Sequence, residues 1–138
     1  MRLIIADDDP GIRYILRSIV EGFGAEVLAE AENGHHAIQQ TALHKPQLIL
    51  LDVSMPEMGG FPALKYLRKA YPELRILMVS EYSQNAYVRE ALRLGANGYL
   101  VKSYCASELR PAIQAIMAGR TFVSAPVANY QSTANGAM

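Results

Sequence analysis

Short apolar runs alternate with longer segments of helical periodicity five times along the chain, and no segment repeats at a fixed period. That alternation predicts a parallel sheet with helices on both faces. Residues 3–6 read as the first strand. Ile12, Ile15, Leu16, Ile19 and Val20 then fall on one helical stripe, which Gly22 and Gly24 end. Residues 27–31 give the weakest strand signal, and Asn33-Gly34 opens a second helix running to about Lys45, before Pro46. Leu48-Ile49-Leu50-Leu51 is unbroken apolar sequence, as a central parallel strand covered on both faces requires. After a loop with Pro56, Gly59 and Gly60, Pro62 sits in the first turn of a third helix, where a missing N–H costs nothing. Residues 76–79 form the fourth strand, 85–94 the fourth helix and 99–101 the fifth strand, while Leu109, Ile113, Ile116 and Met117 mark the fifth helix.

Two places resist this pattern. If the fifth helix starts near Ala106, Pro111 lies beyond the turn where a lost donor is harmless, so a later start or a kink is expected. From Arg120 the helical periodicity stops, and residues 129–138 are small and polar. The chain therefore divides into a domain over residues 1–119 and a linker or C-terminal tail over residues 120–138.

At 138 residues the length suits one domain. Basic and acidic residues balance at 13 each, which removes the charge excess that drives binding to nucleic acid backbones. The first residues carry only a short apolar run before three acids, unlike a signal peptide, and no stretch is long and apolar enough for a membrane span. A cytoplasmic protein is expected. The single cysteine, Cys105, permits no internal disulfide, and its plain reading is a small residue at a helix start.

Ligands of open parallel sheets sit beyond the carboxyl ends of the strands, so the polar residues there are the ones to collect. Strand one ends in Asp7-Asp8-Asp9, strand three in Asp52, strand four in Ser80 and strand five in Lys102. Singly, each has a duller explanation: a cap or loop carboxylate, a turn hydroxyl, a solvated charge. Together they place carboxylates opposite a hydroxyl and an ammonium, which suits a hard divalent cation and a phosphoryl oxygen, with Mg²⁺ the natural candidate. An aspartate can attack phosphorus to give an acyl phosphate, with Lys102 and the Ser80 hydroxyl holding phosphoryl oxygens. Asp9 is the exception; it reads as a helix cap, with Pro10 in the first turn.

The motifs Ile5-Ala6-Asp7-Asp8, Leu50-Leu51-Asp52-Val53-Ser54-Met55-Pro56-Glu57-Met58-Gly59-Gly60, Leu77-Met78-Val79-Ser80 and Gly95-Ala96-Asn97-Gly98-Tyr99-Leu100-Val101-Lys102 occur in order. In these the chain resembles a response-regulator receiver domain over roughly residues 2–119. The resemblance implies a doubly wound, flavodoxin-like three-layer sandwich with a five-stranded parallel sheet in the order 2-1-3-4-5. It implies that Asp52 accepts a phosphoryl group from a sensor histidine kinase, and that catalysis is confined to the domain's own modification. Asp8, Asp52 and the backbone carbonyl of Ser54 are then direct Mg²⁺ ligands, with Asp7 acting mainly through water. Ser80 is the implied switch hydroxyl and Tyr99 the aromatic that follows it inward; a strand side chain packed beside the fourth helix is the equal alternative for Tyr99.

The stretch from Glu108 to Pro126 is similar to the receiver end of NarL/FixJ-type regulators, which continue into a helix-turn-helix domain. The implied output is transcription through such a domain, absent from this chain; the alternative is a stand-alone receiver acting by protein contact or phosphorelay. Homodimerisation on phosphorylation fits either. Ser103 stands where many receivers have proline, and a non-proline cis bond costs about 2.5–4 kcal/mol, so the isomer of the Lys102–Ser103 bond stays open. Gly59 replaces a common Asp or Asn. Ser54 and Tyr82 occupy the positions where the family tunes dephosphorylation. Of the rivals, an aspartyl-nucleophile phosphohydrolase usually has a second acid where Ser54 stands, and a flavin module needs a phosphate nest where this chain is acidic.

Overall fold

A computed structural model describes residues 1–127. The elements follow in the order β1 (Arg2–Ala6), α1 (Pro10–Gly22), β2 (Glu26–Ala31), α2 (Gly34–His44), β3 (Leu48–Leu51), α3 (Gly60–Ala70), β4 (Arg75–Ser80), α4 (Asn85–Arg93), β5 (Gly98–Val101), α5 (Cys105–Met117) and β6 (Phe122–Val123). All strands pair in parallel, in the order β2-β1-β3-β4-β5-β6.

The helix boundaries have local causes. Asp9 caps α1 by accepting from the Gly11 and Ile12 amides at 2.8 and 3.4 Å, and Pro10 fills the first helical position, where no amide donor is needed. Asn33 caps α2 through the His36 amide at 2.8 Å. Lys45, in the left-handed region at φ 49°, ends that helix ahead of Pro46.

Strand alternation divides the interior into two layers. Ile4, Ile49, Leu51, Ile76 and Met78 face α2, α3 and α4; Leu3, Ile5, Leu48, Leu50, Leu77 and Val79 face α1 and α5. All four residues of β3 are buried, each leucine contributing about 1.5–3 kcal/mol, and this anchors the strand that leads into Asp52. Among the described residues no helix is long and apolar enough to cross a membrane.

Three expectations change. Among the described residues the sheet has six strands and not five, because Phe122 and Val123 pair with Gly98 and Tyr99 on the outer edge of β5. The segment expected to be tail from Arg120 onward is therefore part of the fold as far as Val127, which is fully buried; residues 128–138 of that expected tail lie outside the described residues. The fifth helix does not start late: it begins at Cys105 and runs through Pro111. Ser107, whose carbonyl Pro111 leaves without its helical donor, is exposed, as is Pro111, so water can take the place of that bond. Cys105 is the first residue of α5, as expected, and burial pushes its thiol pKa up. The Lys102–Ser103 bond is trans.

Candidate functional site

Asp7 and Asp52 are the first residues beyond β1 and β3, and each continues the strand ladder through its amide: Asp7 to the Ala31 carbonyl and Asp52 to the Ala6 carbonyl, both at 2.9 Å. Adjacent central strands thus set the two carboxylates side by side. With Asp8 they form a cluster whose ligand oxygens all lie within 4.8 Å of one another. Asp7 and Asp52 are 1% and 3% exposed, while Asp8 is exposed at the rim.

Lys102, the first residue after β5, reaches over this cluster. Its ammonium is 2.8 Å from Asp7 Oδ2 and 3.3 Å from Asp52 Oδ2. Burial lowers its pKa, but the bond to Asp7 and the charges of Asp52 and Asp7 outweigh that and leave it raised. The Asp52 carboxyl is pushed up to about 6, first by burial and then by the charge of Asp7, against the opposing pull of Lys102 and the Ser54 backbone N–H. Among the described residues, the buried Asp7 Oδ2 has no donor apart from Lys102. Three hard oxygen donors, one of them short of partners, fit a small divalent cation.

The loop after Asp52 is held against the site by backbone proximity. A Cβ on Gly60 would stand 2.0 Å from the Asp52 carbonyl oxygen, so the start of α3 can abut the Asp52 backbone only as glycine. The Gly60 amide donates to the Val53 carbonyl at 2.8 Å, and Gly34 donates to the Met58 carbonyl at 2.7 Å. Glu57, at φ 67°, turns the loop and accepts from Asn33 Nδ2 at 2.8 Å. Ser54 stands exposed in this loop, two residues beyond Asp52.

Ser80 ends β4 and is fully buried; its hydroxyl accepts from the Tyr82 amide at 3.1 Å. Tyr99 is also fully buried, packed with Val88 and Ala91 of α4, and its hydroxyl donates to the Tyr82 carbonyl at 2.7 Å. Burial pushes its pKa up to about 12, partly opposed by the bond to the Ser80 hydroxyl. Tyr99 thus packs beside α4, as the strand-side-chain reading of this residue has it. Tyr82 stacks on Tyr87 at 4.5 Å and 8°.

Asp7, Asp8, Asp52 and Lys102 gather at this edge, while Asp9, whose amide donates to Asp7 Oδ1 at 2.9 Å, caps α1. Sequence reasoning missed Arg13, which donates to the Asp7 carbonyl at 2.6 Å and to Glu30 at 2.9 Å. Its spacing on the site end of α1, four residues after Asp9, was the available signal. A cleft of about 650 Å³ bounded by Lys45, Pro46, Tyr71 and Met117 lies where β3 and β4 begin, at the opposite sheet edge, and includes none of the candidates.

A doubly wound parallel α/β fold with carboxylates beyond β1 and β3 and a lysine beyond β5 has its polar groups where such folds bind ligands. The family model for the response regulator receiver domain matches residues 3–114, and the chain belongs to that family. It is 38% identical over 112 residues to the chemotaxis protein CheY of Bacillus subtilis, covering 81% of this chain and 93% of that protein. It is 33% identical over 129 residues to the transcriptional activator protein ExaE of Pseudomonas putida, covering 93% of this chain and 60% of ExaE. Among solved structures, a LuxR-family two-component response regulator from Aurantimonas sp. SI85-9A1 superposes with a TM-score of 0.92 at 31% identity, over 98% of this chain and 97% of that one.

Proposed function

We propose that Asp52 accepts a phosphoryl group from a sensor histidine kinase and that the modification shifts the domain between two conformations. The observation that carries this reading is the position of the Lys102 ammonium over Asp7 and Asp52, at 2.8 and 3.3 Å, at the end of the buried central strands. Asp7, Asp8, Asp52 and the Ser54 carbonyl are the ligands we assign to Mg²⁺, which when bound supplies neutralising charge for the phosphoryl oxygens.

Asp52 attacks the phosphorus through a carboxylate oxygen; the bond from phosphorus to the donor's imidazole nitrogen breaks, and its electron pair leaves with the imidazole. Lys102 is then placed to pair with a phosphoryl oxygen in exchange for its contact with Asp52. The Ser80 hydroxyl, now accepting from Tyr82, rotates to donate to another oxygen, and Tyr99 holds the Tyr82 carbonyl while it does so. Water attack on phosphorus breaks its bond to the Asp52 oxygen, releases inorganic phosphate and returns the carboxylate. The domain catalyses only its own modification. Its output is transcription, supported by the similarity to ExaE and the LuxR-family regulator; the similarity to CheY favours contact with a partner protein as the second reading. Homodimerisation accompanies phosphorylation.

Transfer from a panel of phosphorylated histidine kinases, followed on the intact protein by mass, tests this function. Fast transfer from one kinase, abolished by Asp52→Asn, is the expected result; no transfer from any kinase and none from acetyl phosphate with Mg²⁺ would contradict it.

A further inference from the structure

The strand that carries Tyr99 and leads into Lys102 has no free outer edge. Phe122 and Val123 pair with Gly98 and Tyr99, and a Cβ on Gly98 would stand 2.7 Å from the Phe122 carbonyl oxygen. Beyond the pairing, the Ser124 amide donates to the Tyr99 carbonyl at 2.9 Å, and the Ser124 hydroxyl accepts from the Val101 amide at 2.8 Å. That hydroxyl donates in turn to Glu108 Oε1 at 2.5 Å, and Glu108 Oε2 accepts from the Ala125 amide at 3.1 Å. Val127 donates to the Ser124 carbonyl at 3.0 Å and is buried in the same apolar cluster as Tyr99 and Val101.

We propose that residues 122–127 form a latched strap, fastened to β5 by Glu108 and Ser124, that transmits the state of the Asp52 site to the chain beyond Val127. The proposal rests on the phosphoryl-accepting function given above. The strap grips β5 at Tyr99 and at Val101, the latter directly preceding Lys102, so it is bonded to the strand that carries both responding side chains. The latch is a carboxylate bonded to a buried hydroxyl and an amide, and such charge-assisted bonds are stronger than neutral ones. Anything that fixes the end of β5 must favour the seated strap, and seating the strap must in return favour the ordered site. The strap also occupies the β5 edge, so a partner reading the α4, β5 and α5 face meets β6 and the α5 carboxylate in place of an open strand.

Backbone amide exchange of the full chain, with and without beryllofluoride and Mg²⁺, tests this, with fluorine NMR reporting beryllofluoride bound at Asp52 in the same samples. Binding should slow exchange at Val101, Ser124 and Val127 by about threefold or more, while exchange in β2, on the far edge of the sheet, stays unchanged. Glu108→Gln and Ser124→Ala should each speed exchange at these amides by about tenfold in the free protein and erase the response of residues 124–127. Both variants should still bind beryllofluoride. Bound fluoride without slowed strap exchange overturns the strap alone, as do variants that exchange like wild type. No bound fluoride in wild type overturns the phosphoryl-accepting function and the transmission with it.

Discussion

Lys102 reaches from the end of β5 across β4 and β3 to the end of β1, where its ammonium lies 2.8 Å from Asp7 Oδ2. In the metal-free protein the lysine is thus the counter-charge of the acidic cluster, as well as the group assigned to the phosphoryl oxygen. Removing one member of a buried ion pair costs about 3–5 kcal/mol, because the other is left uncompensated. Lys102→Ala should therefore lower metal-free stability by about 2–4 kcal/mol, less than the full cost because Asp52 can take up a proton. Mg²⁺ should raise the melting temperature of that variant more than that of wild type. A Lys102→Ala protein as stable as wild type without metal would contradict this.

The cluster also predicts a metal response that depends on Asp8. Millimolar Mg²⁺ should stabilise wild type, by about 2.7 kcal/mol at a hundredfold excess over its dissociation constant. Asp8→Asn removes a carboxylate that is exposed and near two others, so the metal-free variant should melt no lower than wild type while its Mg²⁺ shift shrinks or vanishes. Calorimetric melts with and without Mg²⁺ decide it; a full shift in Asp8→Asn would move the ligand elsewhere.

Asp52 gives a pH dependence with a definite sign. Its folded pKa of about 6 lies above the ordinary 3.8, so between these values the folded state binds more protons than the unfolded one. Metal-free stability should consequently fall as pH rises from about 4 to 6, by up to about 3 kcal/mol from this group. Asp52→Asn should flatten that part of the profile and leave the metal-free protein more stable at pH 7. Urea melts across this range check it, and a slope unchanged in the variant would be the contrary result.

Arg68 ties the end of α3 to the segment between α4 and β5. Its guanidinium donates to the Gly95 carbonyl and to Asn97 Oδ1, both at 2.9 Å, and to the Tyr71 and Pro72 carbonyls at 3.2 and 3.0 Å. Asn97 Oδ1 also accepts the Ile76 amide at 2.8 Å, so one side chain gathers the start of β4 and the approach to β5. Arg68→Ala should cost about 2–4 kcal/mol, read by urea melts, while leaving Mg²⁺ binding at the distant cluster intact.

The elements that could be read from the sequence are those whose signal is local. Leu48 to Leu51 announce a doubly covered strand, and Asp9-Pro10 announces a helix start that the structure reproduces in detail. The strand-end rule then collected Asp7, Asp52, Ser80 and Lys102, because position after a strand is a one-dimensional fact. Strand β2 gave a weak signal since it is a sheet edge with a register shift between Leu3 and Ile4 of β1, which places Ala29 where Leu28 would pair. Strand β6 gave none: two residues carry no periodicity, and what seats them is Glu108 and Ser124, 16 positions apart. Pro111 is the opposite case, a residue whose local rule is lenient because the turn around it is exposed.

Assignment of the phosphoryl group to Asp52 can be checked at the residue itself. Incubation with acetyl phosphate and Mg²⁺, followed by borohydride reduction of the acyl phosphate and peptide mapping by mass spectrometry, tests it directly. Residue 52 should be converted to homoserine in wild type, with no conversion at Asp7, Asp8 or Asp9 and none in Asp52→Asn. Conversion at any of those three residues in place of position 52, or undiminished labelling in the variant, would contradict it.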